Sequence, residues 1–166
     1  MKMMIGTFFW TGYLKPAPGT WGSLAALPFV WLLHSLGGTW LLAAATLAVY
    51  ALGLWAIKGV LADHESEDPS EIVIDEVVGM WLALLPTSLG AWMAGAPILA
   101  LWPGWIAAFL LFRLFDIWKP WLVGRADRRG DPTGVMLDDV WAGVFAGAAT
   151  LALAALSHLV IQPMLG

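Results

Sequence analysis

Charged side chains are missing from three long stretches of this chain, residues 16–57, 77–112 and 140–166. A helix needs about 20 residues to cross the hydrocarbon of a bilayer, within a range of about 17–25. The first stretch is long enough for two crossings, and Gly37-Gly38 is the natural turn between them. Spans are therefore expected near residues 20–36 and 39–61. The second stretch reads as a helical hairpin turning around Gly90 to Pro97, with spans near 72–92 and 97–118. The third supplies one span near 138–160. The pattern predicts an all-α polytopic membrane bundle of about five spans, built as a single domain over residues 1–166.

The charges fix an orientation. Segments 1–19, 62–71 and 119–137, with the adjoining helix ends, carry every charged side chain, while the opposite turns and the tail after residue 160 carry none. All eight Lys and Arg fall on one side, which by the positive-inside rule is cytoplasmic. The N-terminus is then expected inside and the C-terminus outside. Composition agrees: 60% of residues are hydrophobic and 12% charged, with mean hydropathy +0.79, whereas soluble domains average roughly 25% charged. The net charge of −4 matters less than its placement. The absence of cysteine excludes disulfides, thiolate metal ligands and cysteine-phosphatase chemistry. The segment MKMMIGTFFWTG lacks the long apolar core and small-residue cleavage site of a signal peptide and is expected to be retained. Membrane lipids are the expected surroundings and no nucleic-acid partner is expected; oligomeric state is not legible in the sequence.

Four polar motifs interrupt the apolar runs. Lys15-Pro16-Ala17-Pro18-Gly19-Thr20-Trp21-Gly22-Ser23 precedes the first span, and its prolines and glycines should prevent regular helix until Thr20 or Ser23 caps the span. A Gly-rich turn feeding a helix N-terminus exposes backbone N–H groups suited to phosphate. Lys15, Gly19, Thr20 and Ser23 are thus candidate substrate-binding residues, although a proline-punctuated helix start is the plainer reading of this motif alone. In the second motif Asp68 should be an N-cap, Pro69 the first helical residue and Glu71 the third. Asp75 and Glu76 would then lie two turns in, roughly 10 Å along the axis. Adjacent carboxylates repel, and a divalent cation is the usual remedy.

In the third motif Arg113 and Asp116 are three residues apart and share a helix face, as do Asp116 and Lys119, before Pro120 stops the helix. A plain ion pair with a snorkelling Lys119 would account for the same residues. In the fourth, Asp138 and Asp139 are expected to open the last span. Arg125, Arg128 and Arg129 just before them suit topology and attraction to anionic lipids. His34 and His158 read as structural, and His64 is a weak ligand candidate. Trp10, Trp21, Trp118, Trp121 and Trp141 mostly suit an interfacial belt.

Together these motifs bring carboxylates from three helices to one depth, with Lys15, Arg113 and Lys119 beside them. Asp75, Glu76, Asp138 and Asp139 are the expected metal ligands, and Arg113, Asp116, Lys119, Asp138 and Asp139 the expected catalytic group. Oxygen ligands without His or Cys select Mg²⁺, Ca²⁺ or Mn²⁺ over zinc. Mg²⁺ commonly joins a few carboxylates to phosphate oxygens, and cations stabilise the charge of a phosphoryl group in transfer. Metal-dependent phosphoryl chemistry on a lipid headgroup is the expected function. A divalent-cation carrier or channel is the alternative; carriers place polar groups near the midplane, and the charge-free outer half of this bundle offers no ionic path. Another lipid phosphotransferase is also open, although its common Asp-Gly-x2-Ala-Arg signature is absent.

The segments PGTWGSLAALP, EIVIDEVVGMW, RLFDIWKPW and GVMLDDVWAG resemble, in this order, the phosphatidylglycerophosphatase A family. The resemblance runs from about Gly12 to Gly147. It implies an Mg²⁺-dependent, multi-pass phosphatase of the bacterial inner membrane with its active site facing the cytoplasm. Such an enzyme makes phosphatidylglycerol from the lipid substrate phosphatidylglycerophosphate. It also places Asp75, Glu76, Arg113, Asp116, Lys119, Asp138 and Asp139 on the family's polar motif positions. The chain departs from the family at Lys15-Pro16 and at Asp131-Pro132, where the family often has Gly-Gly. It lacks the Asp-x-Asp start of aspartyl-phosphate phosphatases and the paired histidines of lipid phosphate phosphatases. Direct attack by water and a nucleophilic Asp138 or Asp139 both stay open.

Overall fold

The computed structural model describes residues 1–61 and 71–161, with side chains to residue 159. Among these the chain is helical without strands. A short α1 (Lys2–Gly6) and a 3₁₀ turn (Thr11–Tyr13) lead into α2 (Pro18–Leu61). Then come α3 (Ile74–Ala94), a 3₁₀ turn (Ile98–Leu101), α4 (Trp102–Trp118), the short α5 (Leu122–Asp127) and α6 (Pro132–Leu156), which ends in a π-helical turn (Ser157–Ile161). Four of these rods are long and apolar enough to cross a membrane.

The longest of them is two helices. Gly37 and Gly38 leave helical geometry, Gly38 with φ +63°, a conformation that glycine adopts without strain. Gly22 on the first arm packs against Val73 and Gly53 on the second packs against Ile74, although the two glycines lie fifteen residues either side of the break. The arms therefore run back along each other as a hairpin, as the Gly-Gly pair predicts. Large apolar side chains on the outside, among them Trp31, Leu36, Trp40, Leu47, Leu110 and Leu151, are exposed. An apolar outer shell of this kind suits lipid rather than water. The protein is a polytopic helical membrane bundle.

At its centre is α3, the most buried of the four rods. Its packing depends on missing side chains. A Cβ on Gly143 of α6 would run into the carbonyl of Gly79, and one on Gly79 into Phe112 and the carbonyl of Asp139. Small residues let helix backbones approach closely where lipid gives no hydrophobic push. Near the charge-free end Ser88 Oγ lies 2.8 Å from His34 Nδ1 and 2.9 Å from Thr39 Oγ1, joining α3 to both arms of α2. Trp81 Nε1 donates to the Ala26 carbonyl at 3.1 Å, a second link to the first arm. His34 is structural, as expected; His64 lies outside the described residues.

Three helix starts differ from the sequence expectation. The first span begins at Pro18, so Gly19 to Ser23 are helical, and Ser23 Oγ donates to the Gly19 carbonyl at 2.7 Å instead of capping. Proline is well suited to the first helical position, which explains the earlier start. The helix at Ile74 starts later than expected, with Val73 as an N-cap that makes no side-chain bond. The Val73 amide donates instead to the Gly6 carbonyl of α1 at 2.9 Å, which holds residues 72–73 outside the helix. Asp68 and Pro69, the expected start, lie outside the described residues. The last span begins at Pro132, where Asp131 caps by accepting from the Gly134 amide. Arg129 beside it holds the Asp131 carboxyl below its ordinary range. Asp75 and Glu76 thus stand in a first turn, and Asp138 and Asp139 two turns in, the reverse of the expected depths.

Substitution at Gly143 tests the close crossing. Gly143→Val should cost about 1–3 kcal/mol through overpacking and lower the thermal midpoint in detergent, followed by circular dichroism. Gly90→Ala, whose added carbon meets nothing closer than 3.8 Å, should be neutral or slightly stabilising.

Candidate active site

The crossing of α3 and α6 brings three carboxylates together. Oxygens of Asp75, Glu76 and Asp139 all lie within 4.8 Å of one another. Asp75 and Asp139 are buried, and each group owes its direction to its helix. Asp75 Oδ1 accepts from the Glu76 amide at 3.0 Å in the first turn of α3, where unpaired amides favour negative charge. Asp138 Oδ1 accepts from the Asp139 amide at 2.9 Å. Asp116 of α4 bears electrostatically on both Glu76 and Asp139. Glu76 Oε2 and Asp139 Oδ1 are buried with no hydrogen-bond partner among the described residues.

Cations flank this group on two sides. Arg113 Nη1 pairs with Asp116 Oδ2 at 2.7 Å, as their spacing predicts, and reaches Ser23 Oγ at 3.5 Å. The Arg113 Nε is buried without a partner. Lys119 departs from its expected place. It is the left-handed C-cap of α4, so its side chain leaves the face of Asp116 and its ammonium bonds Asp127 and, at 3.1 Å, Asp138 Oδ2. Burial works against that ammonium, yet the two carboxylates outweigh it and raise the group above its ordinary value. Asp138, expected among the metal ligands, stands with Lys119 and apart from the trio.

Gly19 has a different place from a phosphate-binding turn. A Cβ there would collide with Glu76 Oε1 and press on Arg113 Nη1. The first turn of α2 is therefore a wall against which both side chains lie. Thr20 is half-buried beside it, while Lys15 is exposed and makes no contact with the carboxylates among those described. Sequence reasoning passed over Asp127, which the short α5 delivers to Lys119 across the Pro120 break. No periodicity links those two positions.

The donor set fits a hard divalent cation: three carboxylates from two helices, two of their buried oxygens unpartnered, and no nitrogen or sulfur ligand among them. Comparison with known proteins is decisive for the family. Residues 4–154 match the family described as phosphatidylglycerophosphatase A. The chain belongs to the phosphatidylglycerophosphatase A family. Relatives named phosphatidylglycerophosphatase A occur in Haemophilus influenzae, 36% identical over 86% of this chain and 82% of theirs, and in Escherichia coli, 33% identical over 85% and 76%. A Bacteroides thetaiotaomicron relative, 38% identical over 87% of this chain and 88% of its own, has a name that assigns it, provisionally, as a phosphatidylinositol-3-phosphatase. No solved structure matches the chain.

Every family motif quoted above borders the same corner of the bundle. PGTWGS forms the wall, IDE the first turn of α3, RLFD the end of α4 and LDD the second turn of α6. Gly19→Ala should displace Glu76 and Arg113 and lower phosphatase turnover about tenfold or more, since misplacement by 1 Å can cost about 100-fold. Retention of the wild-type thermal midpoint alongside normal turnover would show that the wall is unimportant.

Proposed function

We infer that this member of the family hydrolyses the terminal phosphomonoester of phosphatidylglycerophosphate, yielding phosphatidylglycerol and inorganic phosphate. The carrying observation is the set of buried polar atoms without a partner, Glu76 Oε2, Asp139 Oδ1 and Arg113 Nε, with the Glu76 and Arg113 side chains both lying against Gly19. Carboxylate oxygens without a partner suit a cation, and a guanidinium whose Nε is still free to donate, although its Nη1 already holds Asp116, suits a phosphate. Family membership and the names of two relatives point to this substrate.

Asp75, Glu76 and Asp139 would hold Mg²⁺. Bound there, Mg²⁺ supplies positive charge to the phosphoryl oxygens and acidifies water. Arg113 holds non-bridging phosphate oxygens, kept in place by Asp116 and Ser23. Asp138 positions the Lys119 ammonium, which adds a second positive charge at the mouth. Water attacks phosphorus, the bond from phosphorus to the glycerol oxygen breaks, and that oxygen leaves with the proton the water gives up. The bundle is proposed to cross the bacterial inner membrane five times with this site at the cytoplasmic face, so the acyl chains of the substrate stay in lipid.

Phosphate release by the purified protein should require Mg²⁺, stop with a chelator, and be faster on phosphatidylglycerophosphate than on phosphatidylinositol 3-phosphate. Asp75→Asn and Asp139→Asn should each lower turnover by about 100-fold or more. Asp138→Asn, acting through Lys119, should cost about 10–100-fold. Wild-type rates in both Asp75→Asn and Asp139→Asn would overturn the metal assignment. A reporter fused after Leu165 should report the periplasm; a cytoplasmic signal would mean that one arm of the 18–61 hairpin turns back within the membrane.

A further inference from the structure

A cleft of about 460 Å³ opens between α5 and α6, lined by Leu122, Arg125, Ala126, Arg129, Leu137 and Trp141. None of these residues belongs to the carboxylate site. The cleft combines an apolar wall with two guanidinium groups. Arg129 spends its Nε and Nη2 on Asp131, at 3.3 and 2.9 Å, leaving its other edge for a ligand. Arg125 is exposed and forms no ion pair among the described residues, whereas Arg113, Lys119 and Arg129 each hold a carboxylate. Beyond Trp141 the wall continues as a run of rings: Phe145 lies 6.1 Å from Trp141 and 6.2 Å from Trp121, ring centre to ring centre. From Trp141 to Phe145 the run follows α6 away from the charged end, and Trp121 borders it from the start of α5.

We propose that this cleft binds an anionic phospholipid of the surrounding membrane. Its phosphodiester lies at Arg125 and the free edge of Arg129, and one acyl chain lies along Leu137, Trp141 and Phe145. Basic pockets between membrane helices on the cytoplasmic side are suited to anionic headgroups. The aromatic wall favours an amphiphilic anion over a purely soluble one. A ligand there would also steady α5, which carries Asp127 and through it touches Lys119. The proposal rests on the membrane placement given above and not on the reaction.

Phosphatidylserine and phosphatidylcholine are suitable probes, since neither is the proposed substrate or product. Native mass spectrometry of the detergent-purified protein should show about tenfold tighter binding of phosphatidylserine. Arg125→Gln should reduce it to the phosphatidylcholine level, Arg125→Lys should retain most of it, and Trp141→Ala should weaken both lipids. Equal binding of the two lipids by the wild type would overturn the proposal. So would unchanged phosphatidylserine binding in a folded Arg125→Gln variant, or displacement of the lipid by inorganic phosphate. Phosphatase activity is a separate readout, and its absence in the wild type would count against the reaction without touching this site.

Discussion

Burying several carboxylates at one point governs how this bundle is put together. At 4.8 Å, the limit within which the Asp75, Glu76 and Asp139 oxygens lie, two negative charges repel by about 3.5 kcal/mol at an effective dielectric of about 20. Three such pairs, with Asp116 adjoining, face a single nearby guanidinium that Asp116 already engages. With all three ionised, the helices hold this arrangement only if something opposes the repulsion. The first-turn amides of α3 contribute part, and Arg113 another. Oxygens left without a partner in the interior suit a further positive charge.

The packing forces the carboxylates together in spite of that cost. Gly79 and Gly143 allow α3 and α6 to cross backbone to backbone, and the crossing lies one turn beyond Asp75-Glu76 on α3 and one turn beyond Asp138-Asp139 on α6. A larger residue at either glycine would separate the helices and the acids with them. The same logic holds at Gly19, where the first arm of α2 closes over Glu76 and Arg113. Three glycines on three helix faces thus convert close packing into a site. Their contribution is steric, so charge and hydropathy patterns carry no trace of it.

Much of the architecture was legible in the sequence because it follows from one-dimensional rules. Charge-free runs gave the rods, Gly37-Gly38 gave the hairpin, and the Arg113–Asp116 spacing gave a pair that the fold forms. Helix starts were read less well. Ile72 and Val73 follow the helix start expected at Asp68-Pro69, but the Val73 amide is taken by Gly6, far away in sequence. Asp131-Pro132 is a sound local cap signal and starts the last span six residues before the paired Asp138-Asp139, which also resemble a helix start. Lys119 illustrates a third kind of miss. Helical spacing puts it beside Asp116, but the Pro120 break sends its backbone left-handed and its ammonium to Asp127 and Asp138.

The polar and apolar ends of the bundle divide the work between them. At the charge-free end His34, Thr39 and Ser88 satisfy one another across three helical segments. At the charged end the reverse holds: Glu76, Asp139 and Arg113 keep polar atoms that no neighbouring residue engages. A transport path would need such atoms through the depth of the bundle, whereas among the described residues they lie together with the acidic cluster. That placement suits chemistry on a group presented at the membrane surface by a lipid whose tails never leave the bilayer. The surrounding exposed Trp118 and Trp121 belong to the same level, with amphipathic rings suited to the headgroup layer through which such a substrate would approach.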